Sequence, residues 1–212
     1  MSHYFTDNRE LAKNRKDLSF RFSCFNLTFV SDNGVFCKDY IDEGSIVLLN
    51  VLNKNKLGKK ILDVGCGYGT IGITLKKCFP DSKIDMVEIN PRAMELAILN
   101  AKKNNCDVNI FESDVYSNVS DVDYTDIVTN PPIRAGKKVI YKIFEEAYDH
   151  LDDEGTLWIV IRKNHGAQSA KNFIESKFGN CEIIHKDKGY YILKSVKNLK
   201  NNDWLFDIYD II

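Results

Sequence analysis

The sequence predicts an α/β protein built on a doubly wound, mostly parallel sheet of seven strands. Three observations lead to this fold class. Between residues 54 and 196, short runs of β-branched and aliphatic residues alternate with segments of helical periodicity. The first run ends in a glycine-rich turn, and polar residues lie at the ends of four of the runs. Because ligands of such sheets bind at the carboxyl ends of the strands, the pattern also predicts where a site would lie.

The composition fits one domain with short extensions. A chain of 212 residues that is 44% hydrophobic can bury one sizeable core, whereas two full domains would be cramped. The formal charge of -1 argues against a general nucleic-acid coat protein, so any such contact needs a local basic patch. The six cysteines show no Cys-x-x-Cys pair or zinc spacing, which indicates reduced thiols and no metal. No signal peptide or run of eighteen apolar residues is present, so we expect a cytoplasmic protein without a membrane partner.

Composition and pattern divide the chain into four parts. They are a polar N-terminal arm (1–17), an N-terminal hairpin and lid segment (18–53), a sheet-forming core (54–196) and a C-terminal tail (197–212). The arm mixes both charge signs with little apolar periodicity, which favours a solvated segment. The tail carries aromatic and aliphatic residues and is expected to pack on the sheet.

An antiparallel hairpin and a capped helix are predicted ahead of the core. Hydrophobic and polar residues alternate from Leu18 to Phe36, with a turn signal at residues 31–34. Asp42 to Ser45 then precedes an apolar stretch from Ile46 to Leu52, a pattern typical of an N-cap followed by a buried helix.

The core alternates strands and helices in the order expected for this fold class. Strands are predicted at 61–64, 83–87, 108–111, 126–129 and 156–161, and helices at 70–79, 91–101, 140–151 and 167–178. Pro80 ends the first of these helices, and Asn90-Pro91 supplies an N-cap and a first-turn proline for the second. Two final runs, 182–184 and 190–193, are predicted to pair antiparallel at one edge of the sheet.

The stretch from Lys60 to Gly72 predicts a ligand site. Its glycines permit a tight turn, and the helix that follows presents free backbone N–H groups above the strand. Residues 67–72 match the dinucleotide pattern G-x-G-x-x-G, but the neighbouring carboxylate of Asp63 would repel a diphosphate and attract a cation. S-adenosylmethionine carries a sulfonium and an ammonium, and Glu88 can accept hydrogen bonds from both hydroxyls of its ribose. We therefore predict S-adenosylmethionine as the cofactor.

Asp63-Val-Gly-Cys-Gly-Tyr-Gly69 resembles the first motif of the class I S-adenosylmethionine-dependent methyltransferases. In this resemblance Glu88 corresponds to the ribose acid and Asp114 to the acceptor of the adenine amine. Asn130-Pro-Pro-Ile133, followed by Arg134-Ala-Gly-Lys137, is similar to the RsmC-type (MTS-domain) family, which methylates the N2 amine of guanine in small-subunit 16S ribosomal RNA. The resemblance implies ribosomal RNA or the small ribosomal subunit as partner.

Two segments ahead of the core, 32–36 and 42–45, resemble the part of that family that closes over the cofactor. The cofactor-binding residues expected from motif positions and resemblance together are Phe36, Ser45, Asp63, Gly65, Cys66, Gly67, Gly69, Glu88, Ile89, Asp114, Val115 and Asn130. Larger members carry a second, degenerate copy of the domain that helps to hold RNA, and this chain has room for only one. The sequence carries no indication of the oligomeric state.

The Asn-Pro-Pro turn predicts chemistry on a planar nitrogen. The lone pair of an exocyclic purine amine is delocalised, and two acceptors on its N–H groups would direct it towards the methyl group. Asn130 Oδ1 and the Pro131 carbonyl oxygen are the predicted acceptors, and Pro132 restricts the direction of that carbonyl. Ile133, Arg134 and Lys137 are predicted to contact the substrate. Ile133 stands where many amino-methyltransferases have Tyr or Phe, so shape fitting replaces base stacking.

Two other functions fit the same motifs. A protein glutamine N-methyltransferase of the release-factor type uses the same logic, since an amide presents the same planar N–H pair. A cofactor-binding scaffold without catalysis would also keep the fold. Ile133 and the Arg-Ala-Gly-Lys segment favour RNA over the release-factor alternative.

Overall fold

The computed structural model of the protein describes residues 11–198. Most of the predicted arm and tail, 1–10 and 199–212, lies outside the described residues. The strands are β1 (Lys16–Phe22), β2 (Phe25–Ser31), β3 (Lys60–Val64), β4 (Lys83–Glu88), β5 (Asn109–Glu112), β6 (Tyr124–Thr129), β7 (Leu151–Arg162), β8 (Glu182–Asp187) and β9 (Tyr190–Val196). The helices are α1 (Glu43–Leu52), α2 (Thr70–Cys78), α3 (Pro91–Lys103), α4 (Lys137–His150) and α5 (Ala167–Phe178), with 3₁₀ turns at Ile133–Ala135 and Lys163–His165.

A seven-stranded sheet in the order β5-β4-β3-β6-β7-β9-β8 forms the centre of the protein. The strands from β5 to β7 are parallel, and β9 and β8 are added antiparallel at one edge. The chain leaves β3 towards β4 on one side and later returns to β6 on the other, so the strand order reverses between β3 and β6. The predicted fold class is confirmed, and this reversal opens a crevice at the carboxyl ends of the strands.

Apolar side chains cover the sheet on both faces. On one face, α1, α2, α3 and the β1–β2 hairpin enclose a core that includes Leu48, Ile73 and Phe29. On the other, α4 and α5 bury Phe144 and Ile174 against the sheet. Residues that are buried on both faces explain why the central strands read as continuous apolar runs rather than as alternating ones.

Asn100 of α3 and Asn104, the residue just after this helix, attach the hairpin to the core. Asn100 accepts from Val30 N (2.6 Å) and donates to Val30 O (3.0 Å). One helical turn later, Asn104 makes the same pair of bonds with Thr28 N (3.1 Å) and Thr28 O (2.9 Å). The two amides thus serve as hydrogen-bond partners for the outer edge of β2, as a neighbouring strand would. Asn100 Nδ2 also donates to Tyr68 O at 2.8 Å, which joins the hairpin to the glycine loop.

Several element boundaries differ from the predicted ones. The hairpin turns at Ser23 and Cys24, not at residues 31–34, because β1 and β2 pair from Lys16↔Ser31 to Phe22↔Phe25 and Ser23 adopts a left-handed φ of 52°. Leu151, predicted as the end of a helix, begins β7, since its side chain is buried in the same core from an extended backbone.

The described part of the arm is tied to the core. Arg92 of α3 donates to Leu11 O at 2.6 Å, and Asn33 donates to Ala12 O at 3.1 Å. These two hydrogen bonds attach residues 11 and 12 to α3 and to the turn after β2, while residues 11–15 are all exposed to solvent. Within residues 11–198, no helix has the length and apolar character needed to cross a membrane.

Candidate active site

The glycine loop after β3 is shaped by left-handed backbone. Gly65, Gly67 and Gly69 have φ values of 72°, 58° and 97°. Gly65 N and Cys66 N both donate to Val87 O at 3.0 Å, which holds the loop against β4. A Cβ on Gly69 would lie 2.7 Å from Ile73 Cδ1, whereas one on Gly65 or Gly67 would meet nothing within 4 Å. A side chain at Gly69 would therefore require Ile73 to move, whereas the other two glycines leave open space beside the loop.

Asp63 lies fully buried under this loop. Its Oδ2 accepts from Gly72 N in the first turn of α2 at 2.9 Å, and among the described residues its Oδ1 has no hydrogen-bond partner. Burial, and to a smaller extent the charge of Glu88, raise the pKa of Asp63 to about 7 against the opposing effect of the Gly72 N–H. A buried carboxylate oxygen without a donor suits a cation, as the sequence predicts for this position.

Glu88 is fixed at the end of β4 by backbone donors. Its Oε2 accepts from Gly67 N at 2.9 Å, and its Oε1 accepts from Ile89 N at 2.9 Å and from Asn90 N at 2.8 Å. Carboxylates with fixed orientation recognise paired hydroxyls well, because no rotamer entropy is lost when the ligand binds.

A cleft that opens to solvent adjoins Glu88. It is lined by Val64, Gly65, Glu88, Ile89, Ser113, Asp114, Val115, Pro132, Val139 and Ile143. Five predicted cofactor residues, Gly65, Glu88, Ile89, Asp114 and Val115, therefore meet in one place, together with Pro132 of the Asn-Pro-Pro turn. The combination of apolar walls with two carboxylates suits a nucleoside, which presents a flat base and polar edges.

Asn130 follows β6 and is held by the lid segment. Its Nδ2 donates to Asp42 Oδ2 at 2.7 Å and to Ser45 Oγ at 3.0 Å. Asp42 is also the N-cap of α1, since the same Oδ2 accepts from Ser45 N at 2.8 Å. The sequence identified the cap but not its bond to Asn130, because nothing in the pattern shows that residues 88 positions apart are in contact.

Along the segment that follows Asn130, the residues change from buried to exposed. Pro131 is buried, and the Pro132 carbonyl accepts from Ala135 N at 2.9 Å inside the 3₁₀ turn. Ile133 is partly buried and packs against the core under α4. Arg134 and Lys137 are exposed, so they are placed to meet a partner from outside.

Segment 34–40 lies beside the glycine loop. Asn90 Nδ2 donates to Gly34 O at 3.1 Å, and the Tyr68 hydroxyl lies 3.3 Å from both Cys37 O and Tyr40 O. Phe36 is 50% exposed, and Tyr40 is 63% exposed. Phe36, predicted as part of a cofactor lid, thus stands on a segment that is attached to the loops after β3 and β4.

The cysteines of the site are protonated thiols. Burial raises the pKa of Cys66 well above its usual range and raises that of Cys37 to about 12. All six cysteines are free, and residues 11–198 contain no group of three or more His, Cys, Asp or Glu side chains that could hold a metal ion.

The buried carboxylate oxygen below the glycine loop and the carboxylate-lined cleft beside it suit a cationic nucleoside. Fold and site together are those of an S-adenosylmethionine-dependent methyltransferase. A family model described as methyltransferase small domain matches residues 26–194. The chain belongs to this family, which confirms the resemblance seen in its motifs.

Relatives of the chain fall into two groups by length. The uncharacterized protein YbxB of Bacillus subtilis (strain 168) is 44% identical over 197 residues, which cover 92% of this chain and 98% of that protein. Ribosomal RNA small subunit methyltransferase C of Aliivibrio fischeri (strain ATCC 700601 / ES114) is 34% identical over 186 residues, covering 86% of this chain and 53% of that protein. The chain thus spans about half the length of the methyltransferase C relatives.

A solved structure shares the fold. The T. thermophilus 16S rRNA N2 methyltransferase (RsmC) in complex with AdoMet and guanosine matches with a TM-score of 0.80 and 24% identity, over 89% of this chain and 52% of that one. At this identity the likeness concerns the fold alone.

Proposed function

We propose that the protein methylates the exocyclic N2 amine of a guanine in small-subunit ribosomal RNA. The observation that carries this proposal is the fixed amide of Asn130, whose N–H groups face Asp42 and Ser45. An amide held in this way turns its oxygen towards other donors, and an amine is such a donor. Relatives named ribosomal RNA small subunit methyltransferase C support the choice of RNA.

Asn130 and Pro131 would act on the amine by orienting it. Hydrogen bonds from its two N–H groups to Asn130 Oδ1 and the Pro131 carbonyl oxygen would turn the nitrogen lone pair out of conjugation with the ring. Bound S-adenosylmethionine supplies an electrophilic methyl group. Because the methylated amine is cationic and loses its proton to water readily, the chain needs no general base for this step.

The cofactor would be held by three carboxylates. Asp63 would balance its positive charge, Glu88 would accept from the ribose hydroxyls, and Asp114 would accept from the adenine amine. The burial of Asp63 Oδ1 without a partner and the fixed oxygens of Glu88 support the first two assignments.

A cationic rim supports a nucleic-acid partner. The strands β6 and β7 are neighbours, so the loops that follow them lie side by side. This edge of the sheet carries the exposed side chains of Arg134, Lys137 and Lys163 and that of Arg162, the last residue of β7. In a chain of net charge -1 such a cluster suits phosphate contacts, which position RNA without reading its sequence.

Transfer of labelled methyl groups from S-adenosylmethionine tests the proposal. The substrates would be naked 16S RNA, assembled small subunits and release factor, and mass spectrometry would locate the methyl group. We expect N2-methylguanine in one of the two RNA substrates. Methylation of a release-factor glutamine, or cofactor binding without transfer to any substrate, would overturn the assignment.

Charge variants test the rim. Arg134→Ala and Arg162→Ala should each raise KM for RNA several-fold at low salt and reduce its salt dependence, since each removes one phosphate contact. Lys59→Ala is the matched control, because Lys59 is exposed at the opposite, amino-terminal edge of the sheet. An equal effect of Lys59→Ala would show that net charge, not the rim, sets RNA affinity.

A further inference from the structure

We propose that Asp42 is a positioning residue that sets the catalytic orientation of the Asn130 side chain. The inference rests on the proposed function, since it concerns the amide that would orient the substrate amine. Asp42 lies in the lid segment ahead of the core, whereas Asn130 follows β6, a central strand of the sheet.

The hydrogen bonds leave one orientation of the amide. Asp42 Oδ2 lies 2.7 Å from Asn130 Nδ2, and a carboxylate accepts hydrogen bonds but cannot donate them. A rotation of the amide by 180° would bring its oxygen against this carboxylate, which is repulsive. Ser45 Oγ, 3.0 Å from the same nitrogen, accepts the second N–H. The amide oxygen is therefore kept for a donor outside the protein.

Asp42 is itself held from several sides. The same Oδ2 caps α1 by accepting from Ser45 N at 2.8 Å, and Oδ1 lies 3.6 Å from Cys37 Sγ, which donates to it. Asp42 is only 9% exposed. Gly44 follows it against Tyr190 of β9, where a Cβ would approach Tyr190 Cε1 to 2.8 Å. Packing and hydrogen bonds therefore hold the Asp42 carboxylate in one position relative to the sheet.

A carboxylate suits this position better than the other residues that cap helices. Asn or Ser would cap α1 equally well, but Asn also carries an N–H donor that could face Asn130 Oδ1. An Asn at position 42 retains an acceptor of the same reach with no charge. The Ser hydroxyl is one bond shorter and can cap the helix without reaching Asn130. These differences separate the two roles of Asp42, which are to cap α1 and to accept the hydrogen bond from Asn130.

Substitutions at position 42 test the proposal, because the loss of a positioning residue should lower kcat and leave KM and the cofactor Kd unchanged. In Asp42→Ser we expect kcat to fall about 100-fold, as for a misplaced catalytic group, with KM for RNA and cofactor Kd within about twofold of wild type. Asp42→Asn should stay within about fivefold of wild type, because a neutral acceptor is weaker but present. Ser45→Ala removes the second acceptor and leaves the cap, and its kcat should fall about fivefold. Glu43→Gln, exposed in the same turn, is the matched control with no expected change.

A readout independent of substrate accompanies the kinetics. The side-chain amide protons of Asn130, assigned by their loss in Asn130→Ala, should exchange slowly with water in the wild type. In Asp42→Ser they should exchange at least about tenfold faster, because their acceptor is gone. Unchanged exchange, or wild-type kcat in Asp42→Ser, would overturn the proposal. If the wild type methylated no guanine, the proposed function would fail while the exchange rates would still decide the role of Asp42.

Discussion

The ionisation of Asp63 should control cofactor affinity below neutral pH. Its pKa, ordinarily 3.8, is raised to about 7, so the protonated form dominates in the free protein at acidic pH. A bound cation favours the carboxylate, and binding below pH 7 must therefore release a proton. The ionised fraction falls from about one half at pH 7 to about 3% at pH 5.5, which weakens the affinity roughly fifteenfold.

Calorimetry between pH 5.5 and 7 measures this effect, with two buffers of different ionisation enthalpy to count the protons released. Asp63→Asn should bind more weakly, with no dependence on pH. Asp126→Asn is the matched control, because Asp126 is also buried with a raised pKa but pairs with Gly58 N and Trp158 Nε1 away from the cleft. A flat wild-type affinity, or a pH slope retained in Asp63→Asn, would refute the assignment of Asp63 to the cation.

The same pKa shift predicts a cost in stability. Since the pKa is higher in the folded protein than in the unfolded chain, the carboxylate destabilises the fold as pH rises from about 4 to 7. The shift from 3.8 to about 7 corresponds to about 4 kcal/mol at pH 8. Without cofactor, Asp63→Asn should therefore unfold at higher urea concentration than the wild type at pH 8, while it loses affinity. A less stable variant at this pH would contradict the burial argument.

Two further substitutions test the fold around the site. Asn100→Leu should lower the free energy of unfolding in urea by about 3 kcal/mol, because it leaves three buried backbone groups without partners. As a control, Asn50→Leu on the exposed side of α1 should change this free energy by less than about 1 kcal/mol. Gly69→Ala should lower the free energy of unfolding by about 3 kcal/mol, because the backbone at Gly69 is left-handed and the new Cβ would clash with Ile73. Gly166 also has a left-handed φ, of 86°, but open space around it, so Gly166→Ala should lower this free energy by only about 1 kcal/mol. Equal costs for the two glycines would show that the clash is relieved by movement of Ile73.

Local patterns in the sequence predicted the central strands of the sheet well because these strands follow one simple rule. A parallel strand that is buried on both faces is mostly apolar, as Ile61, Leu62 and Val64 of β3 show. The antiparallel hairpin was recognised by its alternation, but its turn was misplaced. Ser23 and Cys24 are not typical turn residues, and their geometry is imposed by the pairing of Phe22 with Phe25.

The sequence predicted those site residues that lie at or just after the carboxyl end of a strand. Glu88 and Asp114 line the cleft together because parallel strands bring their carboxyl ends to one edge. Asp42 and Asn100 were missed as contacts of the site, since each connects segments that are distant in sequence. The cap pattern around Asp42 and the i, i+4 pair of Asn100 and Asn104 on an otherwise amphipathic helix were the available signals.

The contacts of the lid segment explain why the site and the N-terminal part of the chain form one unit. Three of the loops that build the site touch this segment: Tyr68 after β3 at Cys37 and Tyr40, Asn90 after β4 at Gly34, and Asn130 after β6 at Asp42. Since the three loops converge only when the sheet is assembled, the segment can dock only on the folded core. Ordering of the segment and ordering of the site are then the same event, and a ligand that stabilises one must stabilise the other.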